Sequence, residues 1–352
     1  MTIVKQVFER IIPKGRAGSP SLDTMLAKFD KELENFAALI PPAPESKPRT
    51  PFDTPGEGGA DMSRFANMTP TQALSVLGIM GPLLWNMNQS SKFYDGTFKP
   101  TQYEATPQFM AELEATAYKA GAKDIKYVRV PNTAIFQEKG IPHQYAIVFT
   151  VEMDKDNMET APSFEAFREV AKGYKNLATI SNKMSRLLRQ NGFAAYPGTA
   201  LGGLTDYCYL AELAGLGAIG YHGLLITPDE GARLRINTIY TNITNLPIET
   251  ENEHLWVRDF CAMCKKCIRK CPVDAIFDQP VPRGDGGMQC IDHDSCREYF
   301  NKNYGCAICL VECPFSHMGY EKIKARFKGN PNAPQFRILP EPIIDLAQIE
   351  VV

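Results

Sequence analysis

Along the chain, apolar positions alternate between a helical and a strand-like rhythm. Leu22, Met25, Leu26, Phe29, Leu33 and Phe36 recur at helical spacing and predict a helix from Ser21 to Leu39. Residues 41–61 break that rhythm with Pro41, Pro42, Pro44, Pro48, Pro51, Pro55, Gly56, Gly58 and Gly59. Such a composition holds neither a helix nor a central strand, and predicts an extended arm or a linker. Thr69-Pro70 reads as a helix start with Pro at the first helical position. The apolar run from Ala73 to Trp85, interrupted by Gly78, Gly81 and Pro82, predicts a buried helix and is too short to cross a bilayer.

Residues 95–250 predict one α+β unit. Thr106 to Ala120 is helical, opened by Pro107 and stopped by Gly121. Ile125 to Val130 and Tyr145 to Val151 are rich in Val, Ile and Tyr and predict strands. Pro162 to Gln190 predicts a long helix pair, with Phe164, Phe167, Val170, Tyr174 and Leu177 on one stripe. A short strand from Phe193 to Tyr196 and a helix from Thr205 to Ala214 lead into Gly215-Leu216-Gly217-Ala218-Ile219-Gly220-Tyr221-His222-Gly223. Strands follow at Leu224 to Ile226 and Arg233 to Tyr240. The glycines match G-x-G-x-x-G, but that dinucleotide fingerprint needs a strand before it and a helix after it. Here a helical pattern precedes and a strand follows. Glycines in this order suit a backbone that passes close to a flat cofactor or another strand.

The densest chemistry lies further on. Cys261-Ala262-Met263-Cys264-Lys265-Lys266-Cys267-Ile268-Arg269-Lys270-Cys271-Pro272 is C-x2-C-x2-C-x3-C-P, the bacterial ferredoxin run for a [4Fe–4S] cluster. Cys306-Ala307-Ile308-Cys309-Leu310-Val311-Glu312-Cys313-Pro314 repeats its last three cysteines. The first cysteine of a second full run would fall at Asn303, and Cys296 or Cys290 can replace it. In two-cluster ferredoxins the fourth cysteine of a run ligates the other cluster. The spacing therefore assigns Cys261, Cys264, Cys267 and Cys313 to one cluster, and Cys271, Cys306, Cys309 and one of the two upstream cysteines to the other. Zinc ribbons need neither the third cysteine, the x3 step nor the proline.

The chain has 352 residues, is 44% hydrophobic and 22% charged, and carries a formal net charge of −2. That balance offers no electrostatic footprint for nucleic acid or an anionic membrane. Ten cysteines, eight of them accounted for by iron, predict a reducing, anaerobic compartment. The first residues, with Lys5, Arg10, Lys14 and Arg16, contain neither a twin-arginine pair nor an apolar core of signal length, so a cytoplasmic location is expected.

Together, the glycine segment, its continuation Leu224-Leu225-Ile226-Thr227-Pro228-x-x-Gly231-x-Arg233-x-Arg235 and the two cysteine runs resemble the reductive dehalogenase family, whose module also occurs in epoxyqueuosine reductase. Ala161 to Ala195, with Tyr174 and the Arg189-Gln190-Asn191-Gly192-Phe193-Ala194-Ala195 turn, resembles the same family. So does Cys296-Arg297-Glu298-Tyr299-Phe300 ahead of Gly305-Cys306, which favours Cys296 as the eighth ligand. The resemblance covers roughly residues 120–320. It departs from the family's charged glycine motif at Ala218 and Tyr221, and Asp206 lies out of register with the catalytic acid of epoxyqueuosine reductase.

The resemblance implies a nitroreductase-like corrinoid-binding domain at 95–250 fused to a ferredoxin-like two-[4Fe–4S] domain at 251–325, with an extension at 1–94 and a tail at 326–352. It implies base-off cobalamin near Gly215, Leu216, Gly217, Gly220, His222, Gly223 and Arg235, reduced by the nearer cluster. It implies a tyrosine proton donor assisted by a basic residue. Tyr207 and Tyr209 lie where the family's substrate pockets lie, Tyr196 and Tyr221 are further candidates, and Arg233 is the basic partner. The expected function is reductive cleavage of a carbon–halogen or related carbon–heteroatom bond in a small molecule, with a low-potential donor such as ferredoxin or flavodoxin. No nucleic acid and no transmembrane segment are expected. The alternatives are an electron-transfer protein that has lost the corrinoid site, and a queuosine-type reductase.

Overall fold

Four antiparallel strands frame the molecule: β1 (Ile125–Arg129), β2 (Tyr145–Glu152), β3 (Ala195–Pro197) and β6 (Leu234–Thr241), in the order β1-β2-β6-β3. They belong to a computed structural model that describes residues 27–50, 52 and 69–329. β4 (Ala218–Ile219) and β5 (Leu225–Ile226) form a small hairpin, and β7 (Ile276–Pro282) pairs with β8 (Met288–Ile291) in a second one.

Both faces of the main sheet are covered, which is why β2 is buried at every position between its two ends. Alternation in the pleat sends Ile147, Phe149 and Val151 to one core and Ala146 and Val148 to the other. The first core is closed by three helices: α1 (Pro70–Ser91), α2 (Pro107–Ala120) and α4 (Phe164–Gln190). The helix α3 (Lys155–Glu159) makes the short connection from β2 towards α4. The second core is closed by α5 (Tyr207–Leu213), Phe29, Leu33, Phe93 and Tyr94.

Local chemistry sets the helix ends. Thr69 and Gln72 form a reciprocal capping box in front of Pro70. Thr106 caps α2, and Gly121 ends it at φ 107°, in the left-handed region that favours glycine. Ser163 caps α4.

Some expectations differ from the outcome. The pair of helices expected from Pro162 to Gln190 is one 27-residue helix. Gly173 does not break it; a side chain there would come within 3.2 Å of Arg235 Cγ, so the glycine admits Arg235. The run from Ala73 to Trp85 is a helix but not wholly buried, since Leu74 is 71% and Trp85 58% exposed. Of the helix expected from Ser21 to Leu39, residues 27–32 are helical and a 3₁₀ turn follows at Leu33–Asn35; its start lies outside the described residues. Residues 41–50 contain neither helix nor strand and bond to the loop residues Asn132, Gln137, Gly202 and Gly203, and most of the remaining Pro/Gly-rich arm lies outside the described residues.

A third core joins the cysteine-bearing segment to the sheet unit. It unites Met153, Met158, Ala218, Tyr221 and Ile226 with Val257, Cys261, Cys267, Cys313, Phe315, Tyr320 and Ile323.

Candidate metal centre

Helix α6 (Trp256–Cys264) presents Cys261 and Cys264. Lys265, at φ 49°, turns the chain into α7 (Lys266–Lys270), which carries Cys267. Cys313 caps the start of α10 (Pro314–His317). These four cysteines line one narrow chamber, partly open to solvent and closed by Phe260, Phe315 and His222. Burial, and after it the neighbouring thiols, pushes Cys267 up to about 11 and Cys261 well above its ordinary value. Burial likewise pushes Cys313 up to about 12. Thiolates crowded in this way are unfavourable until a cation neutralises them. Among the described residues, no three His, Cys, Asp or Glu side chains converge to hold a single metal ion. A chamber walled by thiols suits a cluster of several atoms better than one ion.

The second set gathers beside the first. Cys271 follows α7, Cys296 lies in α8 (His293–Lys302), Cys306 occupies a left-handed turn at φ 44°, and Cys309 lies in α9 (Ile308–Val311). Burial first, then Cys306 and Cys271, pushes Cys296 up to about 11. Burial and then Cys306, Cys267, Cys296 and Cys271 raise Cys309. The four thiols therefore feel one another, and Cys309 also feels the first set. Cys290 sits elsewhere. Its sulfur lies 3.8 Å from the Gly220 carbonyl, and its charged neighbours include Arg283, Arg258 and Glu212. Asp292 is the N-cap of α8.

The glycine segment packs against protein. A side chain at Gly217 would press into the carbonyl oxygen of Ile226, and one at Gly220 would come 2.7 Å from Ile226 Cδ1 and 3.5 Å from Cys261 Sγ. Gly223, at φ 77°, lies against Cys290. His222 faces the cysteine chamber. Gly215 and Leu216 instead border an open groove of about 550 Å³ whose walls include Asp124, Glu249, Glu251 and Glu253. Arg235 lies over the Tyr174 ring at 5.0 Å, on the α4 side of the sheet. The residues expected to hold a corrinoid thus face several different places and do not form one cradle. A carboxylate-rich groove also disfavours the phosphate of a cobalamin tail. No chemical step is assigned to cobalt on this arrangement.

The expected catalytic residues are likewise dispersed. The Tyr207 hydroxyl donates to the Thr199 carbonyl at 3.3 Å, and its ring fills the space beside Gly198 and Gly203. Burial, then the neighbouring Tyr240, raises it well above the ordinary tyrosine value. Tyr209, two residues on, points elsewhere, its hydroxyl 3.2 Å from where a side chain at Gly286 would lie. Arg233 donates to Glu152 Oε1 at 3.1 Å and to the Met153 carbonyl at 3.0 Å. Tyr196 packs against Tyr94 and Phe36. The buried Tyr221 hydroxyl has no hydrogen-bond partner among the described residues, and burial, then Cys261, pushes it up to about 12.

Two residues missed from the sequence tie the halves together. Arg258, one turn before Cys261, pairs with the buried carboxylate of Glu212 in α5. Glu212 also accepts from the Ile219 N–H at 2.6 Å. The only signal in the sequence is a lone acid within Leu210-Ala211-Glu212-Leu213-Ala214. Asp206, the acid out of register, caps α5 and pairs with Lys47.

The chain is 32% identical over 190 residues to the tetrachloroethene reductive dehalogenase of Dehalobacter restrictus, a match covering 50% of this chain and 34% of that protein. It is 31% identical over 128 residues to the epoxyqueuosine reductase of Listeria monocytogenes, covering 33% of this chain and 30% of that one. Its relatives are reductive dehalogenases and epoxyqueuosine reductases. Both groups are oxidoreductases. The chain thus spans about a third of the length of these curated relatives. No family model matches it. The catabolic reductive dehalogenase NpRdhA shares the mixed helix–sheet fold, with a TM-score of 0.60 at 22% identity, covering 72% of this chain and 38% of that one. The expectation that nucleic acid is no partner does not stand. Epoxyqueuosine reductases are among the relatives. No helix among the described residues is long and apolar enough to cross a membrane.

Proposed function

We propose that this chain is a two-[4Fe–4S] oxidoreductase of the reductive dehalogenase type. Cys261, Cys264, Cys267 and Cys313 hold an inner cluster, and Cys271, Cys296, Cys306 and Cys309 an outer one. Electrons pass from the outer to the inner cluster and on to a carbon–halogen or related carbon–heteroatom bond. Two electrons and one proton convert R–X to R–H and X⁻. The observation that carries this reading is the chamber walled by the first four thiols, beside which the second four gather. Burial gives the inner cluster a medium of low dielectric, and the second nest supplies an electron relay to it.

The sheet unit is read as nitroreductase-like and residues 251–325 as ferredoxin-like. A solved relative is described in connection with B12-dependent dehalogenation, and NpRdhA is known in complex with 3-bromo-4-hydroxybenzoic acid. Cobalamin is therefore the cofactor to test, and the dispersed corrinoid residues favour a second reading: an iron–sulfur electron-transfer protein without a corrinoid.

The deciding experiment is anaerobic reconstitution with iron, sulfide and hydroxocobalamin, followed by desalting. About eight irons per chain are expected from two cubanes. Retained stoichiometric corrinoid, with halide release from an organohalide, supports the reductase. Eight irons without corrinoid move the assignment to the electron carrier. Turnover of epoxyqueuosine-tRNA instead overturns the dehalogenase assignment.

A further inference from the structure

His222 lies inside the glycine segment yet points into the cysteine chamber. Its side chain is set by a local hydrogen bond: Nδ1 accepts from the Leu224 N–H at 3.1 Å. A nitrogen that accepts from an N–H carries no proton, so the proton of the neutral imidazole sits on Nε2. That Nε2 is buried and has no hydrogen-bond partner among the described residues, and the residue is only 4% exposed. A buried donor left unmatched is costly and calls for an acceptor. The other residues closing this chamber are cysteines, Phe260, Phe315, Pro314 and two lysines.

We infer that His222 donates a hydrogen bond from Nε2 to a sulfur of the inner cluster and thereby sets that cluster's reduction potential. The inference rests on the reading that these four thiols hold a [4Fe–4S] cluster. Two features of the same turn agree with it. The Tyr221 backbone N–H acts on the Cys261 thiol, favouring its thiolate, and Gly220 lies beside that sulfur, where a Cβ would sit 3.5 Å from Cys261 Sγ. The glycine segment is then a lining of the cluster chamber.

The step is a one-electron reduction. The cluster gains one negative charge and no proton moves. A fixed N–H dipole aimed at sulfur stabilises the more negative state more strongly, and hydrogen bonds to the sulfurs are an established lever on cluster potentials. His222 is a positioning residue for charge. It is not a ligand, because a neutral ring with Nδ1 accepting has no lone pair left at Nε2.

The test is an EPR-monitored redox titration of the reconstituted full chain and of His222→Leu and His222→Gln. His222→Leu should keep its iron and sulfide but hold the inner cluster roughly tenfold less reduced at a given potential, which is about 59 mV for one electron. His222→Gln, which can still donate, should recover most of that shift. Pulsed EPR on the wild-type chain labelled with ¹⁵N-histidine should show the weak coupling of a hydrogen-bonded nitrogen, and needs no variant to fold. An unchanged potential in His222→Leu, or absent histidine coupling in the wild type, overturns the inference. Strong, iron-bound nitrogen coupling also overturns it by making His222 a ligand. If Cys261→Ser removes no iron, the chamber reading itself fails, and that outcome is distinct from a cluster whose potential ignores His222.

Discussion

Three of the four cysteines in the inner nest, Cys261, Cys267 and Cys313, are buried against Phe260, Phe315 and the glycine segment. All four in the outer nest, Cys271, Cys296, Cys306 and Cys309, are partly exposed, and α8, which brings Cys296, buries none of its residues. The two nests come from one repeated sequence run, so ligand identity cannot distinguish them. Their surroundings do. Exposure and hydrogen bonds to sulfur both tune cluster potentials. On the proposed two-cluster reading, this contrast sends electrons in through the solvent-facing nest and out through the one packed on the sheet unit.

The largest test removes one nest at a time. Cys261→Ser should abolish the inner cluster's EPR signal and about half of the bound iron, and Cys296→Ser the outer signal with a similar loss. Because Cys261 belongs to the third core and Cys296 does not, only the first variant should also lower the melting temperature clearly. Equal melting temperatures would sink the contrast between a packed and an open nest.

The next test cuts the tie between the inner nest and the sheet unit. Arg258→Leu leaves the Glu212 carboxylate buried and unpaired, which should cost about 3–5 kcal/mol in a denaturant titration. A Glu212→Leu/Arg258→Leu double variant should recover much of that loss. If it recovers none, the pair contributes more than charge balance.

A smaller effect is expected at Gly217. Gly217→Ala forces a methyl against the Ile226 carbonyl of the β4–β5 hairpin and should cost about 1–3 kcal/mol. The inner cluster's EPR line should broaden while the outer one stays unchanged. Broadening of both would show that the nests are not structurally separate.

The smallest is a control in the sheet unit. Burial raises Glu152, but hydrogen bonds from Lys123 and Arg233 outweigh it and leave its carboxyl below the usual value. Its stabilising contribution is thus complete above the unfolded glutamate value of about 4.3, and is lost as pH falls through the lower folded value. Glu152→Gln should blunt that acid-side loss in a thermal melt and leave iron content unchanged. An unaltered acid limb would show that the Lys123 and Arg233 contacts contribute no stability.

Much of this was legible in the chain. Helix starts at Thr69 and Thr106, the stop at Gly121 and the strands at 125–129 and 145–152 follow from capping chemistry and local periodicity, and they fall within a residue or two of expectation. The cysteine spacing proposes two sets of four, and in the structure the first four line one chamber. Sequence was less informative where the outcome depends on what lies across a gap. One helix replaces two at 164–190, and Gly173 within it leaves room for Arg235 of the neighbouring sheet, a contact no local pattern records. Tyr207 and Tyr209 part because helix positions two apart face different partners.

What the sequence alone determined is therefore local: the element boundaries and the cysteine spacing on which the proposed iron–sulfur reading rests, both set by residues within a few positions of one another. What only the tertiary structure decided is adjacency. Gly217 and Gly220 pack against the β4–β5 hairpin while Gly215 and Leu216 border an open groove, Glu212 meets Arg258, and His222 turns its ring toward the thiols. The physical reason is that packing contacts and buried charge pairs join residues far apart in the chain, and no local pattern records which of them will be brought together.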